Sequence, residues 1–254
     1  MHRCFAEPSC WRGSEVVLPP DESHHLLDVL RAGEGDEVRV VDGQGREAVA
    51  RVAAGPRGRA SLRVVTVSRV PKRPVAVTLF QAVLKGSAMD TVVEKAVELG
   101  AEAVVPVLCE RVVTRAGADR LGRRAGRWRR IARSAAKQCG AAWLTEVCPA
   151  VRFAQALTGA GAFDLLLIGS LDGSTRPFHA ALDDVRGTAI RTAGLLIGPE
   201  GDFTAAERSR AADAGAIPVR FGPLTLRAET AALYGLSVLA YELNASPSAA
   251  ARQA

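Results

Sequence analysis

The sequence predicts an α/β protein in two parts: a small β-barrel carrying a short helix, then a mostly parallel sheet covered by helices on both faces. Three observations carry this expectation. The first seventy residues read as strands with one clear hairpin, Pro71-Lys72-Arg73-Pro74 interrupts them, and from Val75 short apolar runs alternate with amphipathic stretches. At 254 residues, and about 150 residues per domain, two domains are expected. Their bounds are 1–72 and 73–244, with 245–254 a frayed tail that has nothing to bury.

In the first part, His24 to Arg31 carries apolar residues at helical spacing and predicts the short helix. Glu37 to Val41 and Arg46 to Val52 flank Asp42-Gly43-Gln44-Gly45, whose glycines supply the positive φ angles of a tight β-hairpin. Ala60 to Val70, rich in β-branched residues, is a further strand that ends at the two prolines. In the second part, strands are expected at Val75–Val83, Ala103–Leu108, Leu165–Ile168, Gly194–Ile197 and Ile217–Phe221. One helix begins with Ser87 capping the N–H of Asp90, buries Met89, Val92, Val93, Ala96 and Leu99, and stops at Gly100. A second, roughly Asp119 to Cys139, turns Leu121, Ala125, Trp128, Ala132 and Ala135 inward and Arg123, Arg127, Arg129, Arg130, Arg133 and Lys137 outward.

Composition excludes several classes. Hydrophobic residues at 48% and charged residues at 24% fit a packed globule, not a disordered chain, a collagen or a coiled coil. No apolar run reaches the roughly 20 residues of a membrane helix and the first residues do not resemble a signal peptide, so a soluble, cytoplasmic protein is expected. The five cysteines form no C-x-x-C pair, which argues for free thiols over a disulfide framework or a zinc site. The net charge of +6 is concentrated: residues 71–137 hold fourteen basic against six acidic groups, while the flanks are balanced or slightly acidic. From Arg111 to Lys137 ten cations face one acid, Asp119, the pattern of a phosphate-binding surface. A solvated face in an arginine-rich protein is the plainer alternative, but such faces normally mix both signs.

Ligands of open α/β sheets bind beyond the carboxyl ends of the strands. The loops after the last three strands read Gly169-Ser170-Leu171-Asp172-Gly173, Gly198-Pro199-Glu200-Gly201-Asp202-Phe203 and Gly222-Pro223-Leu224-Thr225-Leu226-Arg227-Ala228-Glu229-Thr230. Each alone is an ordinary strand-to-helix turn; three at one sheet edge make a rigid cleft lined by main-chain groups. The first βαβ unit has no G-x-G-x-x-G, Leu84-Lys85-Gly86-Ser87 is not a P-loop, and no G-x-S-x-G or H-E-x-x-H occurs. Dinucleotide enzymes, P-loop enzymes, serine hydrolases and metalloenzymes lose their support, and no metal is expected.

The paired motifs Leu196-Ile197-Gly198-Pro199-Glu200-Gly201 and Leu224-Thr225-Leu226-Arg227-Ala228-Glu229-Thr230-Ala231 resemble the cofactor motifs of SPOUT methyltransferases. His24-His25-Leu26, Val29-Leu30-Arg31, Gly35-Asp36-Glu37-Val38, Lys85-Gly86, Met89-Asp90, Lys95 and Glu98-Leu99-Gly100 narrow the resemblance to the ribosomal RNA small subunit methyltransferase E family, over residues 1 to about 244. The resemblance implies a PUA-like β-barrel, a methyltransferase domain with a C-terminal trefoil knot, S-adenosylmethionine as donor, a homodimer, and methylation of uridine 1498 at N3 in 16S ribosomal RNA of the small subunit. Composition does not imply a knot, since unknotted connections are the rule. The cofactor residues it implies are Gly169, Leu196, Ile197, Gly198, Glu200, Gly201, Phe221, Leu224, Leu226, Ala228, Thr230 and Ala231. The chain departs from the family at Asp202, where a second glycine is usual, and at Ser134 and Ala141, where an acidic residue and an Arg are usual.

The N3 of uridine is a poor nucleophile until its proton leaves, so Arg227 is the candidate for stabilising developing charge and Glu229 for accepting the proton. A salt bridge shaping the loop and a favourable place at a helix start are their plain structural alternatives. Arg3, Arg12, His25, Arg31, Lys85, Arg123, Arg127 and Arg130 are the candidate RNA contacts. The rival activities are another SPOUT reaction, such as ribose 2′-O-methylation, and a non-catalytic role in RNA binding or ribosome assembly.

Overall fold

The computed structural model describes residues 1–55, 58–111, 118–173 and 175–244. The expected frayed tail lies outside the described residues, as do Arg115 and the side chains of Asp119, Arg120 and Leu121. The chain forms two compact units, Met1–Lys72 with Arg133–Leu144, and Arg73–Ala132 with Thr145–Ala254. The division falls between Lys72 and Arg73, and the first unit takes in a second stretch of which the sequence gives no sign.

In the first unit, the described residues form β1 (His2–Phe5), β2 (Trp11–Arg12), β3 (Glu15–Val17), α1 (Pro20–His24), β4 (Glu37–Val41), β5 (Arg46–Ala53) and β6 (Ser61–Arg69). The strands are ordered β1-β4-β5-β6-β3-β2, with β1 parallel to β4 and the other pairs antiparallel. The Trp11 indole N–H donates to the Ala6 carbonyl at 2.8 Å, a link between the two ends of that path. The β4–β5 turn is as expected: Gly43 and Gly45 have φ of 76° and 85°, and Asp42 Oδ1 accepts from the N–H groups of Gln44 and Arg46. Alternate strand residues Val38, Val40, Ala48, Ala50, Val52 and Leu62 join Val16, Leu18 and Leu26 in one core.

The helix expected over His24–Arg31 is displaced. It starts at Pro20, which takes the first helical position where a missing N–H costs nothing, and continues as a π-helical turn over His25–Val29. The wider turn breaks the expected 3.6-residue spacing, burying Leu26 while Val29 is exposed. The stretch Arg133–Leu144 is fastened to this unit by Lys137 on Glu22 and Arg133 on Glu7. Ala142 and Leu144 pack with Phe5 and Val41.

The second unit contains β7 (Ala76–Ala82), α2 (Ala88–Glu98), β8 (Ala103–Leu108), most of α3 (Ala118–Cys139), β9 (Glu146–Val147), β10 (Val151–Arg152), α4 (Phe153–Ala156), β11 (Leu165–Gly169), β12 (Arg176–Pro177), α5 (Phe178–Asp183), β13 (Thr192–Ile197), α6 (Ala205–Asp213), β14 (Ile217–Arg220) and α7 (Ala228–Leu239). All its strand pairs are parallel, in the order β10-β8-β7-β13-β11-β14-β12 with β9 beside β8. Because side chains alternate along a strand, Phe80, Ala82, Ile168 and Leu196 pack on one face against Phe153, Phe203 and Ala211. Leu195 and Ile197 take the opposite face, where α7 packs on β7 and β13 and against α2. Gly235 permits that approach, since a Cβ there would lie 2.6 Å from Leu195 Cδ2.

Two expectations about helices need correction. Ser87 precedes α2, but its backbone is helical (φ −87°, ψ −5°) and its side chain makes no cap hydrogen bond; a capping side chain requires extended geometry. The outward cations of α3 are also not a uniform solvated stripe. Arg127 forks onto Asp90 at 3.0 and 2.7 Å, and Arg129 donates to the Val147 carbonyl. The expected inward residues hold their place, with Ala125, Trp128, Ala132 and Ala135 all buried.

Candidate active site

Strands β13, β11 and β14 are neighbours, so the loops that follow them leave the sheet side by side. Together with the first turn of α7 they enclose a cavity of about 500 Å³, within the range of about 300–1,000 Å³ usual for small-molecule sites. Gly169, Ile197, Gly198, Glu200, Phe221, Leu224, Leu226, Ala228 and Ala231 line it, as do Arg227 and Glu229. Gly169 allows the close packing of this wall, for a Cβ there would meet the Phe221 ring at 2.8 Å.

Leu196, Gly201 and Thr230 are not on the wall. Leu196 is one residue out of phase with Ile197 and belongs to the core of the other face. The Gly201 carbonyl is taken by the Arg111 guanidinium, and Thr230 is exposed on α7. Ser170, Leu171, Pro199, Asp202, Gly222 and Thr225 complete the loop walls, with Ala88 and Arg220. Arg220 was within reach of sequence reasoning as the last residue of a strand that ends at the site. Ala88 was not, because only the packing of α2 on α7 brings it there.

The cavity is apolar at Ile197, Phe221, Leu224 and Leu226 and carries both signs of charge, with Glu200, Asp202 and Glu229 against Arg220 and Arg227. Arg227 takes the cap position of α7 in extended backbone geometry and its side chain makes no cap hydrogen bond. Glu229 sits in the first turn of that helix, where the unpaired N–H groups favour an anion. Such a lining suits a ligand with a flat apolar ring, several hydrogen-bonding groups and charged ends, which is the chemistry of S-adenosylmethionine. Among the described residues no cluster of metal-ligating side chains occurs.

The candidate RNA contacts divide between the units. In the first, Arg12 and Arg31 are exposed, Arg3 is exposed and donates to the Gln138 carbonyl at 3.0 Å, and His25 is half-buried. In the second, Lys85, Arg123 and Arg130 are exposed, whereas Arg127 is exposed but committed to Asp90.

The sequence profile of an RNA methyltransferase domain matches residues 71–240, and that of an RNA methyltransferase PUA domain matches residues 18–65. The ribosomal RNA small subunit methyltransferase E of a Synechocystis strain is 32% identical over 239 residues, 93% of this chain and 76% of the relative. The chain belongs to the ribosomal RNA small subunit methyltransferase E family. The enzyme of that name from Bacillus subtilis is 28% identical over 87% of this chain and 88% of its own. The family enzyme of Neisseria gonorrhoeae, solved bound to S-adenosylmethionine, superposes with a TM-score of 0.83 at 29% identity, covering 94% of this chain and 96% of that one. The fold is therefore that of a SPOUT methyltransferase with a PUA-like first domain, and the family uses S-adenosylmethionine. Asp202, the departure from the family motif, lies on the cavity wall.

Proposed function

We propose that the protein methylates N3 of uridine 1498 in the 16S ribosomal RNA of the small subunit, using S-adenosylmethionine, as a cytoplasmic homodimer. The observation that carries the reading is the convergence of the three loops and the α7 start on one cavity, in a chain of this family. When bound, S-adenosylmethionine supplies a methyl group on a sulfonium sulfur for in-line displacement.

The backbones of Gly198–Glu200 and Leu224–Ala228 would hold the donor, and Ile197, Phe221 and Leu226 would exclude water from it. A carboxylate oxygen of Glu229 accepts the N3 proton of the target uridine, directly or through one water. The Arg227 guanidinium stabilises the negative charge that spreads over the uracil oxygens as that proton leaves. Because N3 is hidden in a base pair, the target base is unpaired or extruded, and the exposed cations Arg12, Arg31, Lys85, Arg123 and Arg130 hold the flanking phosphates. No helix among the described residues is long and apolar enough to cross a membrane. Exposed aromatic side chains, Tyr234 on α7 and Tyr241 just after it, support self-association.

The test is to incubate the protein with small ribosomal subunits and labelled donor and to map the modified nucleoside by mass. Label on uridine N3 at one position is the expected result. A ribose 2′-O-methyl group, or RNA affinity without any label, overturns the reading in favour of one of the two rivals. Sedimentation at twice the chain mass is expected for the dimer.

A further inference from the structure

Asp202 has φ +59°, a left-handed backbone that glycine adopts freely and that Asp tolerates better than most residues. Its N–H closes a turn onto the Pro199 carbonyl at 2.9 Å. The side chain, 16% exposed, uses both oxygens: Oδ1 accepts from the Phe203 N–H at 2.8 Å and Oδ2 from the Leu171 N–H at 3.2 Å. Arg208, on α6, extends the connection. Its guanidinium lies 3.6 Å from Asp202 and 3.2 Å from Asp172, and it donates to the Phe203 carbonyl. The loop after β11 is thus tied to the loop after β13 through one carboxylate and one guanidinium. Leu171 and Asp202 both line the cavity, so the tie spans its wall.

We propose that Asp202 is a positioning residue that sets the affinity for S-adenosylmethionine by clamping the Gly169–Gly173 loop to the Gly198–Phe203 loop. A glycine at 202 would satisfy the backbone without strain and leave the Leu171 and Phe203 N–H groups without these acceptors. The carboxylate is what holds the two walls at a fixed separation before ligand arrives, and a preformed site binds more tightly because less ordering remains to be done. The inference rests on the functional reading above and adds to it the residue that shapes the donor site of this chain.

Asp202→Gly removes the clamp and keeps the backbone; Asp202→Asn keeps one acceptor oxygen but sets an amide N–H₂ donor against the second backbone N–H. Both are expected to weaken S-adenosylmethionine binding, roughly tenfold for Gly, raising KM for the donor while KM for RNA stays at the wild-type value. Amide hydrogen exchange at Leu171 is expected to speed up in the Gly variant without ligand. Arg208→Met, which leaves residue 202 untouched, guards against a folding artefact and is expected to weaken donor binding severalfold. Wild-type donor affinity in Asp202→Gly or in Arg208→Met overturns the proposal, as does lost affinity with unchanged exchange at Leu171, which would assign the effect to charge alone. Wild-type protein that takes up no S-adenosylmethionine would instead remove the functional reading, and the inference with it.

Discussion

The Lys137 ammonium lies 2.7 Å from a carboxylate oxygen of Glu22, whose side chain is only 5% exposed. The other Glu22 oxygen accepts the Phe5 N–H at 3.1 Å, so a buried charge in the first unit is matched by a cation delivered from the end of α3. Removing one partner of a buried pair is far more damaging than removing both. Lys137→Met is expected to lower stability by about 3 kcal/mol, toward the small end of the range for such pairs because Lys137 keeps some contact with water. Adding Glu22→Gln is expected to restore part of the loss. Chemical unfolding of the three variants measures the coupling, and additive losses would show that the two charges act independently.

Arg227 and Glu229 share the cavity wall, yet different losses are expected from each. Arg227→Ala is expected to lower single-turnover methylation by about 10²-fold or more, the scale of losing one transition-state donor, with donor binding by calorimetry largely intact. Glu229→Gln is expected to slow methylation at neutral pH while leaving KM for the donor unchanged. An Arg227→Ala enzyme of normal single-turnover rate would remove that residue from the mechanism.

Arg123, Arg127 and Arg130 are all exposed, but of the three only Arg127 has an ionic partner, Asp90, among the described residues. Neutralised phosphates release counterions, so RNA affinity is expected to fall steeply with added salt. Replacing both Arg123 and Arg130 with Ala is expected to reduce the slope of log K against log salt by roughly 1.5. Arg127→Ala is expected to change the slope less, since its charge is already set against Asp90. A flat salt response of the wild-type protein would contradict the basic-face assignment.

The cysteines are expected to sort by burial. Burial, reinforced by the Glu22 carboxylate, raises the Cys4 thiol from 9.0 to about 12, and burial also raises Cys109. Cys139 is exposed. Iodoacetamide at pH 8 is expected to alkylate Cys139 first and to spare Cys4 and Cys109 until the protein unfolds, because the thiolate is the reacting form. The same shift has a stability sign: the unfolded thiol ionises near 9.0 and the folded one near 12. The contribution of Cys4 is therefore intact below pH 9 and lost as pH rises toward 12. A melting series from pH 8 to 11 is expected to decline less steeply in Cys4→Ala.

What the sequence discloses and what it hides follow from range. The hairpin at Asp42–Gly45, the strands that end at Gly169, Ile197 and Arg220, and the three loops beyond them are written in contiguous residues, where turn chemistry and alternation operate. Arg127 and Asp90 lie 37 positions apart, and Glu22 and Lys137 lie 115 apart. No local pattern announces such pairs, which is why the basic stripe reads as freer than it is. Leu196 is a different failure: the motif containing it points to the site, but alternation along β13 sends every second side chain into the opposite core. Asp202 could be noticed as a departure, and its meaning came only with its backbone angle and its two acceptor bonds.

The assignment of Arg133–Leu144 to the first unit has a temporal side. On a translating ribosome, Phe5 and Val41 emerge early, yet Ala142 and Leu144, which cover them, follow only after the sixty residues Arg73–Ala132 of the other unit. The amino-terminal module therefore cannot finish folding as it leaves the exit tunnel; it must wait, partly bare, for a segment made much later. A gene fragment ending at Lys72 would encode a polypeptide with an uncovered apolar patch, and an independently expressed version of that module needs residues 133–144 grafted back through a linker.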